Sequence, residues 1–149
     1  MTTSHSGWYA VLGDPVSHSK SPDIHAAFAK QVGIELVYNK IQVPKGQLEL
    51  RLKEMVADGL LGANITIPHK FDAFSLSTEK TRRAIKAQAA NTLIIRSGGI
   101  IADNTDGIGL VTDIEKNTNF PLANTHILII GAGGAVSGVL AAILDCHPA

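Results

Sequence analysis

Short apolar runs alternate along the chain with apolar residues at helical spacing. The runs at residues 8–12, 36–43 and 63–67 predict strands, and a proline follows each of them closely. Between the runs, apolar residues recur at helical intervals in segments 21–32 and 48–56, which predicts two amphipathic helices. Strands that alternate with helices indicate an α/β fold, with an open, mostly parallel sheet flanked by helices.

The first predicted helix carries clear start and stop signals. Ser21 is the expected N-cap, Pro22 takes the first helical position, and Asp23 adds a negative charge to the first turn. Gly33 is expected to end the helix. Its predicted buried stripe consists of Ile24, Ala27, Phe28 and Val32.

A hairpin is predicted in the middle of the chain. Residues 78–87 have a helical pattern, and strand-like segments follow at 92–96 and 100–102. The intervening Gly98-Gly99 suits a two-residue turn.

The register of this hairpin determines whether two polar residues, Asn91 and Asp106, are neighbours. With a turn of two glycines, Ser97 pairs with Ile100, and Asn91 then lies opposite Asp106. The alternative is that Asn91 is a turn residue and Asp106 a helix cap.

The C-terminal segment has the pattern of the opening of a dinucleotide-binding unit. A helical pattern over 106–116 precedes the apolar run 127–130, a glycine-rich loop and a second helical pattern. Val136 stands where the strict fingerprint has its last glycine. We divide the chain into one domain at 1–105 and, at 106–149, a linker helix with the first strand and helix of a truncated Rossmann-like domain. The candidate cofactor-binding residues of the loop are Gly131, Gly133, Gly134 and Ala135.

Composition and charge exclude several classes of partner. The 149 residues carry 13 basic and 13 acidic side chains, and a net charge of 0 favours neither nucleic acid nor an anionic membrane. The single Cys146 suits a reducing compartment, and no apolar stretch is long enough to span a bilayer. Residues 1–7 lack a signal-peptide pattern, and the histidines lack metal-ligand spacing. We therefore expect a cytoplasmic protein without a metal site.

Polar residues cluster where a predicted strand ends. Asn64 and Thr66 share one face of the strand at 63–67, and Lys70 follows that strand at once. Ligands of open α/β sheets bind outside the carboxyl ends of strands, so these side chains are candidate ligand contacts. The alternative is a solvent-facing strand and a surface lysine, and His69 is expected at the surface. The predicted core face consists of Ala63, Ile65 and Ile67.

Ser19 and Ser21 precede the first predicted helix. A helix N-terminus offers free N–H groups and a partial positive charge, so two hydroxyls there would suit a carboxylate. The alternative for Ser21 is helix capping, a role that Ser19 is not expected to have.

Five ordered motifs resemble the shikimate dehydrogenase family. The resemblance runs from about Tyr9 to Leu144. The motifs are Gly13-Asp14-Pro15-Val16-Ser17-His18-Ser19-Lys20-Ser21-Pro22, Gly62-Ala63-Asn64-Ile65-Thr66-Ile67-Pro68-His69-Lys70, Ala90-Asn91-Thr92-Leu93, Asp103-Asn104-Thr105-Asp106-Gly107 and Gly131-Ala132-Gly133-Gly134-Ala135.

The resemblance implies reversible, NADP-dependent reduction of 3-dehydroshikimate to shikimate, a step of aromatic amino-acid biosynthesis. It implies that Lys70 and Asp106 form the catalytic pair and that Ser19 and Ser21 hold the substrate carboxylate. It further implies that ring hydroxyls contact Asn64, Thr66, Asn91 and Asp106, and that the cofactor pyrophosphate contacts Gly133, Gly134 and Ala135.

The sequence departs from the family pattern at three places. Gln88 and Ala102 replace frequent glycines, and Val136-Ser137 replaces a stretch that often carries a basic residue. The residues present do not choose between NAD and NADP. A relative that acts on quinate as well as shikimate, or a non-catalytic small-molecule binding module, are the alternatives.

The resemblance also bears on completeness. The family's remaining nucleotide-binding strands and a C-terminal helical segment are missing from these residues, so we expect this fragment to be inactive alone. The apolar run 127–130 would then lack its sheet, and we expect two copies to pair through it as a homodimer.

Overall fold

The computed structural model describes residues 7–149, and residues 1–6, part of the segment without a predicted signal peptide, lie outside the described residues. A six-stranded sheet flanked by helices confirms the predicted α/β class. Within residues 7–149, no helix has the length and apolar character needed to cross a membrane. The strands are β1 (Trp8–Gly13), β2 (Tyr38–Gln42), β3 (Leu60–Ile65), β4 (Glu79–Lys80), β5 (Thr92–Arg96) and β6 (Gly99–Asp103). The helices are α1 (Ser21–Val32), α2 (Leu48–Ala57), α3 (Lys70–Leu76), α4 (Arg82–Ala87), α5 (Asp106–Thr112), which a π-helical turn continues over Asp113–Asn117, and α6 (Gly134–Leu144).

The topology of the sheet brings the ends of several strands together along one side of the sheet, which we call its carboxyl edge. Its strand order is β2-β1-β3-β5-β6-β4. β1 is parallel to β2 and β3, and β4 is parallel to β6, whereas β5 is antiparallel to both β3 and β6. The carboxyl ends of β1, β3 and β6 therefore meet the beginning of β5.

A cluster of aliphatic side chains holds this edge in place. Leu12, Leu60 and Leu93 of the central strands are buried together with Leu48 and Leu52 of α2. Burying one such side chain contributes about 1.5–3 kcal/mol, so the cluster is a large part of what fixes the sheet.

Helix α1 occupies the predicted segment but buries a different face. α1 lies beside β2, the edge strand, and His25 and Ala29 face that edge: the His25 ring stacks on Tyr38, and Ala29 is buried. The face that contacts β2 is therefore the narrow one formed by His25 and Ala29, each one residue after a member of the predicted stripe. The members of the predicted stripe, Ile24, Ala27, Phe28 and Val32, are all exposed.

Two local predictions near α3 and α4 are wrong, and α3 itself was not predicted. β3 ends two residues before Ile67, which is exposed rather than part of the core. α3 begins at Lys70 and, with 7 residues, is too short to show a periodic pattern. The predicted helix at 78–87 is a strand followed by a helix, because the Thr81 hydroxyl caps α4 by accepting the Ala84 N–H at 3.2 Å.

The predicted hairpin forms with a different turn. Arg96 pairs with Gly99, so the turn is Ser97-Gly98 rather than Gly98-Gly99. Gly99 has a φ of 142°, and a Cβ there would lie 2.2 Å from the Thr78 hydroxyl oxygen. Gly99 is therefore used where β6 passes Thr78, and not in the turn.

The register is displaced by two residues from the predicted one. Because side chains alternate with period two, each residue keeps its predicted face. Asn91 is not directly opposite Asp106, as predicted; its N–H donates to the Asp103 carbonyl at 3.1 Å. The side chains of Asn91 and Asp106 still meet, because Asp106 opens α5 just beyond the end of β6.

The predicted strand at 127–130 is not formed. No segment of the described chain donates backbone hydrogen bonds to it, and a strand requires such a neighbour. Leu128 and Ile130 are 84% and 88% exposed.

The predicted helix after the glycine-rich loop, α6, is formed and crosses α5 closely. A Cβ at Gly107 would lie 2.7 Å from Ala142 Cβ and 2.9 Å from the Gly138 carbonyl oxygen. The absence of a side chain at Gly107 therefore sets the distance between the two helices.

Candidate active site

A polar cleft opens at the edge where β1 and β3 end and β5 begins. Its volume is about 320 Å³. The structure brings every predicted catalytic and substrate-binding residue to its wall: Ser19, Ser21, Asn64, Thr66, Lys70, Asn91 and Asp106. The wall is completed by His18, His25 and the apolar residues Val11, Pro15, Val16 and Ile65.

Lys70 and Asp106 form an ion pair in this cleft. Lys70 is the first residue of α3 and Asp106 the first of α5, and Nζ lies 2.5 Å from Oδ2. The two side chains are only 16% and 24% exposed. Partial removal from water strengthens the attraction relative to a surface pair. The pair therefore presents a fixed ammonium and a fixed carboxylate to any ligand in the cleft.

The amide of Asn91 holds the other carboxylate oxygen. Asn91 Nδ2 donates to Asp106 Oδ1 at 2.8 Å and to the Thr105 hydroxyl at 2.9 Å. Asn91 Oδ1 accepts the Thr105 N–H at 3.0 Å. Both oxygens of Asp106 are thus bonded, which restricts its rotation.

Two serines lie at one end of the cleft, beside the start of α1. Lys20 and not Ser21 occupies the N-cap position, and no side chain caps the helix there. Ser19, which was not expected to cap, accepts the Ser21 N–H at 3.2 Å because it lies just before the first turn. The two hydroxyl oxygens are 3.1 Å apart, close enough to contact one carboxylate.

Tyr38 contacts both Ser21, at one end of the cleft, and the side-chain amide of Asn64. Sequence reasoning missed this residue. Its hydroxyl donates to Asn64 Oδ1 at 2.6 Å. Burial raises the pKa of Tyr38 to about 12, with an opposing contribution from a hydrogen bond with Ser21, so the phenol remains a neutral donor. The only available signal was a tyrosine in a strand, which most often indicates packing.

Hydrogen bonds continue from Asn64 across the sheet. Asn64 Nδ2 is 3.5 Å from the Thr92 hydroxyl, which donates to Asn91 Oδ1 at 2.9 Å. Thr92, at the start of β5, was not predicted as a site residue. A continuous polar connection therefore runs from Tyr38 to Asp106.

His69 is not at the surface, as expected from sequence. It is fully buried, and its Nε2 lies 2.6 Å from the Val43 carbonyl oxygen. The aromatic ring fills space between the β2–α2 connection and the start of α3, next to Lys70. Within residues 7–149, no group of three His, Cys, Asp or Glu side chains is arranged to hold a metal.

The glycine-rich loop borders the cleft. A Cβ at Gly134 would lie 3.2 Å from Lys70 Cβ, so the start of α6 runs beside the lysine side chain. Gly131 has a φ of 133°, Gly133 directly precedes the 11-residue α6, and Ala135 lies in its first turn. No acidic side chain occupies that turn, whose N–H groups have no helical acceptor. These residues fit the pyrophosphate of a dinucleotide cofactor.

The fold and cleft define an α/β ligand-binding domain beside a glycine-rich helix start. A family model described as the shikimate dehydrogenase substrate binding domain matches residues 11–93, more than half of the chain. The chain belongs to the shikimate dehydrogenase family.

Individual relatives agree with this family. Shikimate dehydrogenase (NADP(+)) of Methylobacillus flagellatus is 51% identical over 140 residues, covering 94% of this chain and 52% of the relative. That of Chromobacterium violaceum is 48% identical over 141 residues, covering 95% and 52%. The chain thus spans about half the length of these curated relatives.

A solved structure is similar over the same region. Shikimate 5-dehydrogenase of Thermus thermophilus, in complex with NADP(H) and shikimate, is 34% identical with a TM-score of 0.85. The similarity covers 93% of this chain and 52% of that one.

Proposed function

We propose that this chain supplies the substrate-binding and catalytic part of an NADP-dependent shikimate dehydrogenase, which reversibly reduces 3-dehydroshikimate to shikimate. The observation that carries the proposal is the Lys70–Asp106 pair, 2.5 Å apart in a polar cleft beside a glycine-rich loop. Residues 1–105 would form the substrate-binding and catalytic domain, and residues 106–149 a linker helix with part of a cofactor domain.

The pair suits the proton transfer that ketone reduction requires. When hydride reaches the carbonyl carbon, negative charge develops on its oxygen, and a nearby ammonium stabilises that charge. The Lys70–Asp106 pair delivers a proton to this oxygen, and in the reverse direction it accepts the hydroxyl proton. Asp106, held by Asn91, keeps the ammonium in place.

The remaining polar side chains bind different groups of the substrate. Ser19 and Ser21 bind the carboxylate at one end of the cleft. Asn64, Thr66, Asn91 and Asp106 bind the ring hydroxyls at the other end. Tyr38 connects the two ends through its bond to Asn64, which favours a ligand with a carboxylate and hydroxyls at a fixed separation.

The cofactor is proposed to bind at the start of α6. Gly131, Gly133, Gly134 and Ala135 would hold the pyrophosphate of the cofactor, whose reduced form, NADPH, would supply the hydride and whose oxidised form would accept it in the reverse direction. The closeness of Gly134 to Lys70 supports this arrangement, because it joins the proposed cofactor and substrate sites.

We also propose that two copies of the chain pair through residues 127–130. The support is the exposure of Leu128 and Ile130 in a segment without a backbone partner among the described residues. Exposed apolar backbone of this kind pairs readily with another chain.

Calorimetric titration of shikimate into the 149-residue chain tests the proposed ligand. We expect binding, and at least about tenfold weaker affinity for shikimate methyl ester, because a charge-assisted hydrogen bond is worth about 1.5–3 kcal/mol. Replacing Ser19 and Ser21 together with alanine should remove the preference for the free acid. Ser75→Ala, on an exposed position of α3, is the matched control. Equal affinities for acid and ester in the unmodified chain would contradict the proposal.

A further inference from the structure

Asp103 belongs to the same motif as Asp106 but does not line the polar cleft. It is a buried carboxylate at the end of β6. A buried carboxylate is costly unless it is paired and hydrogen-bonded, so its partners indicate its role.

Asp103 is bonded on one side to the start of α4. Its Oδ1 accepts from the Thr81 hydroxyl at 2.6 Å and from Arg83 Nε at 3.1 Å, and its Oδ2 accepts from Arg83 Nη2. The Arg83 guanidinium holds the pKa of the Asp103 carboxyl below its ordinary value, so the group is ionised.

Asp103 is bonded on its other side to the residues that hold Asp106. Its Oδ1 accepts the Asn104 N–H at 2.8 Å, and its backbone carbonyl accepts the Asn91 N–H at 3.1 Å. Asn104 Oδ1 in turn accepts the Asp106 N–H at 3.1 Å, and Asn104 Nδ2 donates to the Ala89 carbonyl at 3.0 Å.

We propose that Asp103, held by Arg83, is a positioning residue that sets where the Asp106 carboxylate lies relative to Lys70. Both residues that bond Asp106 on its non-lysine side, Asn91 and Asn104, are themselves bonded to Asp103. Loss of the Arg83 guanidinium leaves Asp103 Oδ2 without its partner and Oδ1 bonded only to Thr81 and Asn104, and the resulting shift of Asp103 passes through Asn91 and Asn104 to Asp106. Only the effect on substrate rests on the proposed function.

The position of Arg83 makes this open to chemical rescue. Its side chain is 51% exposed, although it bonds a buried partner. It also lines a cavity of about 470 Å³ between α4, α5 and α6. A small planar cation therefore has a path to the space that an Arg83→Ala substitution leaves.

The experiment uses the ¹⁵N-labelled 149-residue chain, with two measurements on each variant. The first is the position of the Thr105 and Asp106 amide signals, and the second is the affinity for shikimate. In Arg83→Ala we expect both signals to move and affinity to fall by about tenfold, or about 1.4 kcal/mol. Methylguanidinium should reverse both changes, which a general loss of packing would not show. In Arg83→Lys, which keeps the charge but not the two-point contact, we expect smaller changes of the same kind.

Lys86→Ala is the matched control. Lys86 lies on the same helix and lines the same cavity, but its ammonium pairs with the exposed Asp145 rather than with Asp103. It should move neither signal. Unmoved Thr105 and Asp106 signals in both Arg83 variants would overturn the inference, as would changes in Arg83→Ala that methylguanidinium does not reverse. Failure of the unmodified chain to bind shikimate would instead overturn the proposed function, while the amide signals still decide the role of Asp103.

Discussion

The polar cleft and the segment at 127–130 differ in how many partners their residues have within the described chain. In the cleft, Asp106 is bonded to both Lys70 and Asn91, and the three residues lie next to the ends of strands β3, β5 and β6. At 127–130, large apolar side chains lie in solvent without a backbone partner among the described residues. The geometry of the cleft is therefore fixed by contacts among the described residues, whereas the apolar segment needs a further surface to become buried.

The largest expected effect concerns the cleft. Lys70→Ala should lower turnover by about a hundredfold to ten-thousandfold, the usual range for losing a positioned acid or base, with a smaller change in the Michaelis constant. Turnover is measured by NADPH absorbance in a chimera that joins residues 1–149 to the remaining half of the Methylobacillus flagellatus relative.

Two further variants sharpen this prediction. Asp106→Asn should behave like Lys70→Ala, since it removes the other member of the pair. Lys53→Ala, which breaks an exposed pair with Glu49, should leave turnover unchanged. Near-normal turnover in Lys70→Ala would refute the assignment.

The next effect concerns the apolar segment. Replacing Leu128 and Ile130 together with lysine should weaken self-association at least about a hundredfold, because burying each of these side chains is worth about 1.5–3 kcal/mol. Sedimentation velocity across a concentration series measures this. Replacing Ile24 and Phe28, exposed on α1, with lysine is the control. If the unmodified chain sediments as a monomer at every concentration, pairing through 127–130 is wrong.

A smaller effect is expected on the free energy of unfolding, at the crossing of α5 and α6, which lies between the two regions. Gly107→Ala should lower the free energy of unfolding by about 1–3 kcal/mol, because the new methyl group meets the backbone of α6. Gly109→Ala, on the same helix with nothing within 4 Å of its Cβ, should instead raise stability by about 0.5–1 kcal/mol. Urea unfolding measures both, and similar values for the two variants would show that α6 does not pack against α5 in this way.

The smallest expected effect is a pH dependence of the stability that Asp103 contributes beside the cleft. Arg83 lowers the pKa of Asp103 in the folded chain relative to about 3.9 in the unfolded chain. A carboxyl with a lowered pKa stabilises the fold above its unfolded pKa, and this contribution is lost as pH falls through the folded value. The melting temperature of Asp103→Asn should therefore lie below that of the unmodified chain at pH 7, and the difference should shrink at about pH 3.

The control for this measurement is Asp58→Asn, which changes an exposed carboxylate. Its difference from the unmodified chain should be similar at both pH values. A difference for Asp103→Asn that grows in acid would contradict the prediction.

Local signals in the sequence were sufficient for much of the fold. Gly33 ends α1 with a left-handed φ of 70°, and the apolar spacing of α2 matches its buried face. α3 escaped prediction because one short helix shows too little periodicity. The exposed stripe of α1 could not be predicted, because apolar spacing does not tell that the helix lies at a sheet edge.

The candidate site shows a similar limit. Asn64, Thr66 and Lys70 were found because they are close in sequence at a strand end. Tyr38 was missed because its contact with Asn64 spans 26 residues and depends on which strands are neighbours. The predicted hairpin register was wrong by two residues because Gly99 lies against Thr78, just before β4, and hairpin rules do not consider a contact from outside the hairpin.

The Ser97-Gly98 turn lies at the opposite end of β5 and β6 from Asn91 and Asp106. Strands of 5 residues separate the two ends by about 17 Å, and a Cβ at Gly98 would meet nothing within 4 Å. This turn is therefore a suitable attachment point for a fluorophore or an affinity tag, distant enough from the ligand to leave its recognition undisturbed.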